Sequence, residues 1–215
     1  MFSGAIDKLE DMNPDLNNYT SVLLSIRNYL AMAQNLEQVK LKYKPVGAKN
    51  WPDLVALFER KGGPSYCWCM VWRNMDKGLS RNSMSDKKHS LHKSVSGNTP
   101  VGLLCYDGSV PVAWCSVAPR ENYRELSGTD GLEGVWSLVC FFIQREYRKL
   151  GLKKKLVEQA MTYAKKKGAK YLEAYPVDQD APSYRFMGFK RDFEAMDFEF
   201  KQKAGSRRYV MLKKL

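Results

Sequence analysis

The sequence predicts an α/β (α+β) domain, one mixed central sheet flanked by helices, with an extra helix at the N-terminal end. Three stretches carry this reading. "VGLLCYDGSVPVAWCSVAP" (101–119) is two apolar runs joined by Asp107-Gly108, and glycine supplies the positive φ that a tight hairpin turn requires. "GVWSLVCFFI" (134–143) is almost continuously apolar, as expected of a strand covered on both faces. "YLEAYPV" (171–177) is another buried run, separated from the previous one by a helical stretch, so the two strands are expected to be parallel through a crossover.

The remaining elements follow in order. Asn13-Pro14 has the cap-then-proline signature of a helix start, and Val22, Ile26, Tyr29, Leu30 and Ala33 recur at helical spacing, so a helix is expected over residues 14–35. "LKYKPV" (41–46) alternates as a strand does, and "NWPDLVALFERKGG" (50–63) reads as a capped helix closed by glycines. The period-2 aromatics of "YCWCMVWR" (66–73) suggest buried extended chain. One helix is expected in the polar segment 74–99, around "DKKHSLHKSV". After the strand at 134–143, Gly151 precedes a helix whose apolar stripe is Leu152, Leu156, Val157, Ala160, Met161 and Ala164. Lys165, Lys166 and Lys167 sit at its negative dipole end and Gly168 stops it. "KRDFEAM" (190–196) makes a short helix, and "DFEFKQ" and "RRYVMLKKL" pair as a closing hairpin around Ala204-Gly205. There is no internal repeat.

Composition sets the limits. A chain of 215 residues with 44% apolar content supports one sizeable core, expected over 41–215, with residues 1–40 as an appended element. The longest uncharged apolar stretches fall short of the roughly 20 residues that cross a bilayer. The acidic start "MFSGAIDKLEDM" is unlike a secretory signal, so a cytoplasmic location without membrane association is expected. The five cysteines are odd in number and lie in apolar runs, which reads as reduced thiols packed as small hydrophobes. Cys67 and Cys69 with His89 and His92 are zinc-ligand types, but Cys-x-Cys in a strand-like run with Trp68 and Trp72 reads more simply as packing, and no metal is expected.

The net charge of +12 is local: residues 145–170 hold ten Lys/Arg against two Glu, whereas residues 1–40 hold three basic and five acidic side chains. A cluster of this kind suits a polyanion, either a nucleotide phosphate or a nucleic acid. Its centre is "YRKLGLKKKL" (147–156), where a strand gives way to a helix.

That stretch resembles the signature of the GNAT acyltransferase superfamily, Gln/Arg-x-x-Gly-x-Gly/Ala between the fourth strand and third helix. It reads here Arg148-Lys149-Leu150-Gly151-Leu152-Lys153, matching at Arg148 and Gly151 and departing at Lys153. The blocks "YCWCMVWR", "LLCYDGSVPVAWCSVAPRENY", "GVWSLVCFFIQREYRKLGL" and "YLEAYPVD" are similar to one GNAT subfamily over roughly 41–215. The resemblance implies a sheet splayed at strand 4, with acetyl-coenzyme A (acetyl-CoA) in the gap. The helix-start N–H groups and Gly151, which lacks a Cβ, would take its pyrophosphate. Arg148, Lys149, Lys153, Lys154 and Lys155 would add positive charge, with the Lys153 side chain pointing outward. Phe141, Phe142, Ile143, Leu150 and Leu152 complete the expected cofactor-binding set.

For catalysis, the resemblance points to a bulge near Cys140 that frees an N–H for the oxyanion. Family members often draw the proton for the leaving thiolate from a Tyr in an aromatic-x-x-x-Gly-Phe motif. Two registers compete for it. Tyr184 to Phe189 keeps the hydroxyl and the glycine, whereas Phe193 to Phe198 better fits the spacing to the closing hairpin and leaves Tyr184 in a loop over the cleft. Glu173 and Glu133 are the candidate bases. Trp68, Met70, Trp72, Tyr175 and Asp178 are the candidate acceptor-site residues. The reading is an N-acetyltransferase that passes acetyl directly to a primary amine in a ternary complex. A small molecule is the default acceptor and a protein amine the alternative, and the N-terminal helix is expected to cap the acceptor cleft or build a homodimer contact. The rivals are a basic nucleic-acid-binding module and a fold of this kind that binds CoA without turnover.

Overall fold

The computed structural model describes residues 41–215, and the helix expected over 14–35 lies outside them. The described chain runs β1 (Lys42–Pro45), α1 (Trp51–Glu59), α2 (Met84–Ser96), β2 (Leu103–Asp107), β3 (Val110–Pro119), β4 (Val135–Ile143), α3 (Leu152–Lys166), β5 (Tyr171–Ala174), α4 (Lys190–Glu194), β6 (Glu199–Ala204) and β7 (Arg208–Lys214). All seven strands form one sheet in the order β1-β2-β3-β4-β5-β7-β6. Among the described strands only β4 and β5 pair in parallel, as the crossover through α3 requires.

Local chemistry explains the boundaries. Pro52 sits in the first turn of α1, where its missing N–H leaves no hydrogen bond unmade. The Ser83 hydroxyl accepts from the Asp86 N–H and caps α2. Gly168, at φ +88°, ends α3 while the Ala169 N–H returns to the Ala164 carbonyl. Each face of the sheet buries its own apolar set. Leu54, Leu57 and Phe58 of α1 and Leu91 and Val95 of α2 pack on one face. Leu156, Val157, Ala160 and Ala164 of α3, with Phe193 of α4, pack on the other.

The extended chain expected at 66–73 is a buried turn instead. Trp68 and Cys69 have φ of 46° and 50°, and the Cys67 and Trp68 N–H groups both return to the Pro64 carbonyl. The aromatic spacing recorded burial rather than a strand: Trp68 packs on Phe58 and Trp51 at 5.3 and 5.9 Å between ring centroids.

The feature that builds the site lies in the middle of the sheet. β4 pairs with β5 only from Val135 to Leu138, opposite Tyr171 to Ala174. Beyond that point β4 continues to Ile143 beside β3 alone, while the chain after β5 turns toward β7, where Val177 bridges Arg208. The two parallel strands therefore splay. At the branch point β4 carries a bulge, since Ser116 faces Cys140 and Val117 faces Leu138, leaving Val139 as the extra residue.

Candidate active site

The splay opens a cleft of about 1020 Å³. One wall is the unpaired half of β4, Val139 to Ile143. Its floor runs through Tyr147, Arg148, Lys149 and Gly151 to the first turn of α3, Leu152 to Lys154. The opposite wall is Arg185, Phe186, Phe189, Asp192 and the end of α4, and the far end is closed by Gly62 to Trp72.

The α3 start is shaped for an anion. Gly151 has φ +75°, a conformation that costs other residues about 1 kcal/mol or more. A Cβ built on it would meet nothing within 4 Å, so the space in front of the helix is open. No side chain caps this terminus, which leaves the first-turn N–H groups available at the positive end of the helix dipole. Arg148 is oriented by its Nε–H bond to the Ile143 carbonyl at 2.9 Å. An adenine-nucleotide pyrophosphate fits this combination of open glycine, uncapped N–H groups and basic side chains.

Three thiols meet at the closed end. Cys69 Sγ lies 3.1 Å from Cys140 Sγ and accepts from the Trp114 indole N–H at 3.2 Å. Hydrogen bonding to Cys69 and burial hold the Cys67 thiol well above its ordinary range, and the Cys140 contact and burial do the same for Cys69. Both stay neutral and are poor nucleophiles at pH 7.

The structure brings together most of the residues expected to hold the cofactor: Phe141, Phe142, Ile143, Arg148, Lys149, Gly151, Leu152 and Lys153 all line the cleft, with Cys140 and Trp72. Leu150 does not. The Lys153 side chain does not point outward but reaches across to Asp192 at 3.2 Å and over the Phe189 ring at 4.6 Å. A lysine at this position spans the mouth because α4 places a carboxylate within its reach.

Several other expectations are corrected. Trp68 and Met70 are buried at 2% and 1% exposure in the core beneath the cleft, because the turn at 67–69 folds them inward. Asp178 accepts the Tyr209 hydroxyl hydrogen bond at 2.6 Å and lies outside the cleft lining. Glu173, fully buried, is saturated: it accepts from the Thr129 N–H and hydroxyl, each at 2.7 Å, and from the Tyr175 hydroxyl at 2.5 Å, and pairs with Arg120 at 3.0 Å. A carboxylate with every lone pair engaged is a tie between loops rather than a base. Glu133 is exposed at the far end of β4, seven residues and so roughly 20 Å along the chain from Cys140. Together with Tyr175 it lines a separate pocket of about 460 Å³.

Tyr184 sits in a loop at φ 62°, outside the cleft lining itself, with its ring 5.8 Å from Trp72 and 6.2 Å from Phe186, both of which line it. The register ending in Phe198 matches the α4–β6 junction. Phe193 stacks edge-on against Phe198 at 5.1 Å, and Asp197 takes the left-handed φ of 58° that a glycine would favour. Sequence reasoning missed Tyr66, Gln179, Arg185, Phe186, Phe189 and Asp192 of the lining. Only the aromatics in "YRFMGF" carried a signal, and in sequence they point to a proton donor as readily as to a wall.

Comparison with known proteins agrees with this geometry. The profile of the acetyltransferase (GNAT) family matches residues 64–189. The PaiA N-acetyltransferase from Thermoplasma acidophilum, solved with coenzyme A, superposes with a TM-score of 0.50 at 14% identity, over 82% of this chain and 99% of that one. An acetyltransferase from Thermus thermophilus gives 0.51 at 19% identity, over 81% and 97%. A GNAT-family acetyltransferase from Streptococcus pneumoniae gives 0.50 at 17%, over 82% and 99%. At such identities these likenesses speak for the fold. No curated protein matches the sequence.

Proposed function

We propose, for a chain that belongs to the acetyltransferase (GNAT) family and is an N-acetyltransferase acting with acetyl-CoA, that it passes the acetyl group directly to a primary amine in a ternary complex, with residues 41–215 as the catalytic domain and 1–40 as an extension. The observation that carries this reading is the pairing of an unpartnered β4 edge with an open, uncapped helix start at Gly151 in one cleft.

When bound, acetyl-CoA supplies a thioester carbonyl and a thiol leaving group. The chain's own residues do the rest. Backbone groups of Phe141 to Ile143 hold the pantetheine arm as an added strand would, and the α3 N–H groups with Arg148, Lys149 and Lys153 hold the diphosphate. The bulge at Val139 breaks the ladder beside Cys140 and supplies an N–H for the oxyanion. Tyr184, whose ring packs 5.8 Å from that of the cleft-lining Trp72, is the proton donor to the leaving thiolate. With Glu173 saturated and Glu133 distant, the amine loses its proton to cleft water. The neutral Cys67 and Cys69 support direct transfer over a thioester on the enzyme. All five cysteines are free thiols, which supports a cytoplasmic setting.

The test is calorimetry with CoA together with thiol release from acetyl-CoA across a panel of amines. CoA binding that is lost in Gly151→Asp, and amine-dependent thiol release, are expected. CoA binding without release for any amine would leave a binder, and failure to bind CoA would remove the reading altogether.

A further inference from the structure

Among the described residues three arginines are largely withdrawn from solvent, and two of them are held by several hydrogen bonds. Arg73 donates through Nη2 to the Val101 carbonyl, Ser116 and Tyr123, and Arg120 bonds Thr129 and pairs with Glu173. In each, Nε is the one fully buried nitrogen without a partner. Arg208 differs. It is 9% exposed, its Nη1 is buried without a partner, and its guanidinium makes no hydrogen bond or ion pair among the described residues. Its neighbours are rings: Trp72 at 4.2 Å and Tyr175 at 6.0 Å from the guanidinium carbon. Ring faces supply part of the attraction a cation needs but accept no directed hydrogen bonds. An unpaired buried charge is costly enough that such groups ordinarily have an anion beside them.

A second orphan adjoins the first. The Trp72 indole Nε1 is also buried and unpaired, on the ring that the guanidinium covers. Both orphans are donors, so the missing group is an acceptor, and beside a guanidinium it is an anion. Trp72 lines the cleft at its closed end. Arg208 is bridged to Val177 and is not itself in the cleft lining; it adjoins the cleft through the Trp72 ring that it covers, with Phe186 also in the lining and Tyr184 packed on both rings.

We infer that Arg208 and Trp72 form a carboxylate-recognition subsite, so that the amine acceptor is a small molecule bearing a carboxylate, an amino acid or a close analogue. This rests on the acetyl-transfer reading above. The planar fork of Arg208 matches two carboxylate oxygens, and the carboxylate anchors the acceptor on the β7 side while its amine faces the β4 bulge. A cationic polyamine is disfavoured here, because its second charge would meet the guanidinium.

The experiment uses the full chain with CoA or acetyl-CoA present. The acceptors are phenylalanine, leucine and 4-aminobutyrate, each paired with the amine that lacks its carboxylate. Calorimetry should show at least one acid binding more tightly than its paired amine. Arg208→Met should then weaken apparent affinity for that acid, read as KM in the thiol-release assay, by a factor of about 30 or more, and leave the value for the paired amine unchanged. Because the variant removes an unpaired charge and keeps the stem, its melting temperature without acceptor should hold or rise. Equal binding of every acid and its amine, an equal loss on both, or a fall of several degrees in melting temperature would each overturn the assignment. Carboxylate-dependent binding without thiol release would instead preserve this subsite and reject the transfer reading.

Discussion

Replacing Glu173 by glutamine separates a structural carboxylate from a catalytic one. The wild-type group sits at 0% exposure and ties its own strand, with the adjacent Tyr175, to Arg120 and Thr129 of the 120–129 segment. Removing one partner of a buried ion pair costs about 3–5 kcal/mol. Two features lower that figure here: Arg120 is 29% exposed and keeps the Thr129 carbonyl and hydroxyl as acceptors, and the glutamine oxygen still accepts from the Thr129 N–H. A loss of about 2–3 kcal/mol follows, which for a domain of this size lowers the melting temperature by about 5–10 °C. The assay is thermal unfolding followed by circular dichroism, run beside thiol-release kinetics at a temperature where the variant remains folded. Activity per folded molecule should stay within about threefold, a difference of less than 1 kcal/mol in the barrier. An unchanged melting temperature with a hundredfold fall in kcat would refute the reasoning and return Glu173 to the role of base.

Other perturbations probe the rest of the site. Gly151→Ala should cost about 1 kcal/mol of stability through its positive φ, and should weaken CoA binding by about tenfold or more as the new Cβ enters the open space, as read by calorimetry. Equal affinity would mean that the diphosphate sits elsewhere. Lys153→Ala removes a half-exposed pair with Asp192. Melting should shift by no more than a degree or two, since such pairs contribute at most about 1 kcal/mol. Cys140→Ala should keep at least a tenth of the activity, and mass spectrometry of an acetylated Cys140 in the wild type would contradict direct transfer. Burial raises Tyr123 from 10.0 to about 12 and Cys115 from 9.0 to about 12. The native state holds these protons more tightly, so their contribution is complete below pH 9 and is lost as pH rises toward 12. Chemical denaturation across pH 7 to 11 should show a plateau and then a decline, and stability that climbs through this window would reverse the sign.

The periodic elements were legible in the chain because their information is local. The Asp107-Gly108 turn, the apolar run at 134–143 and the Gly151-led amphipathic helix each specify their own backbone, and the open helix start that follows the strand is built from adjacent residues. The turn at 67–69 was not legible, since alternating aromatics bury equally well in a strand and in a folded loop. Nor were the roles of single side chains. Glu173 in a list of carboxylates looks like any base, and only the arrival of Thr129 and Arg120 from a distant segment, beside the neighbouring Tyr175, shows it to be spent.

The sequence by itself thus determined the architecture and the basic, glycine-led helix start that lines one end of the cleft, because hydrophobic period, turn chemistry and helix polarity act over a few residues. Tertiary structure alone decided where β4 and β5 part company, that Lys153 crosses to Asp192, and that Arg208 is buried against Trp72 without an anion. Those depend on contacts between residues far apart in the chain, and whether a charge is satisfied is a property of everything packed around it.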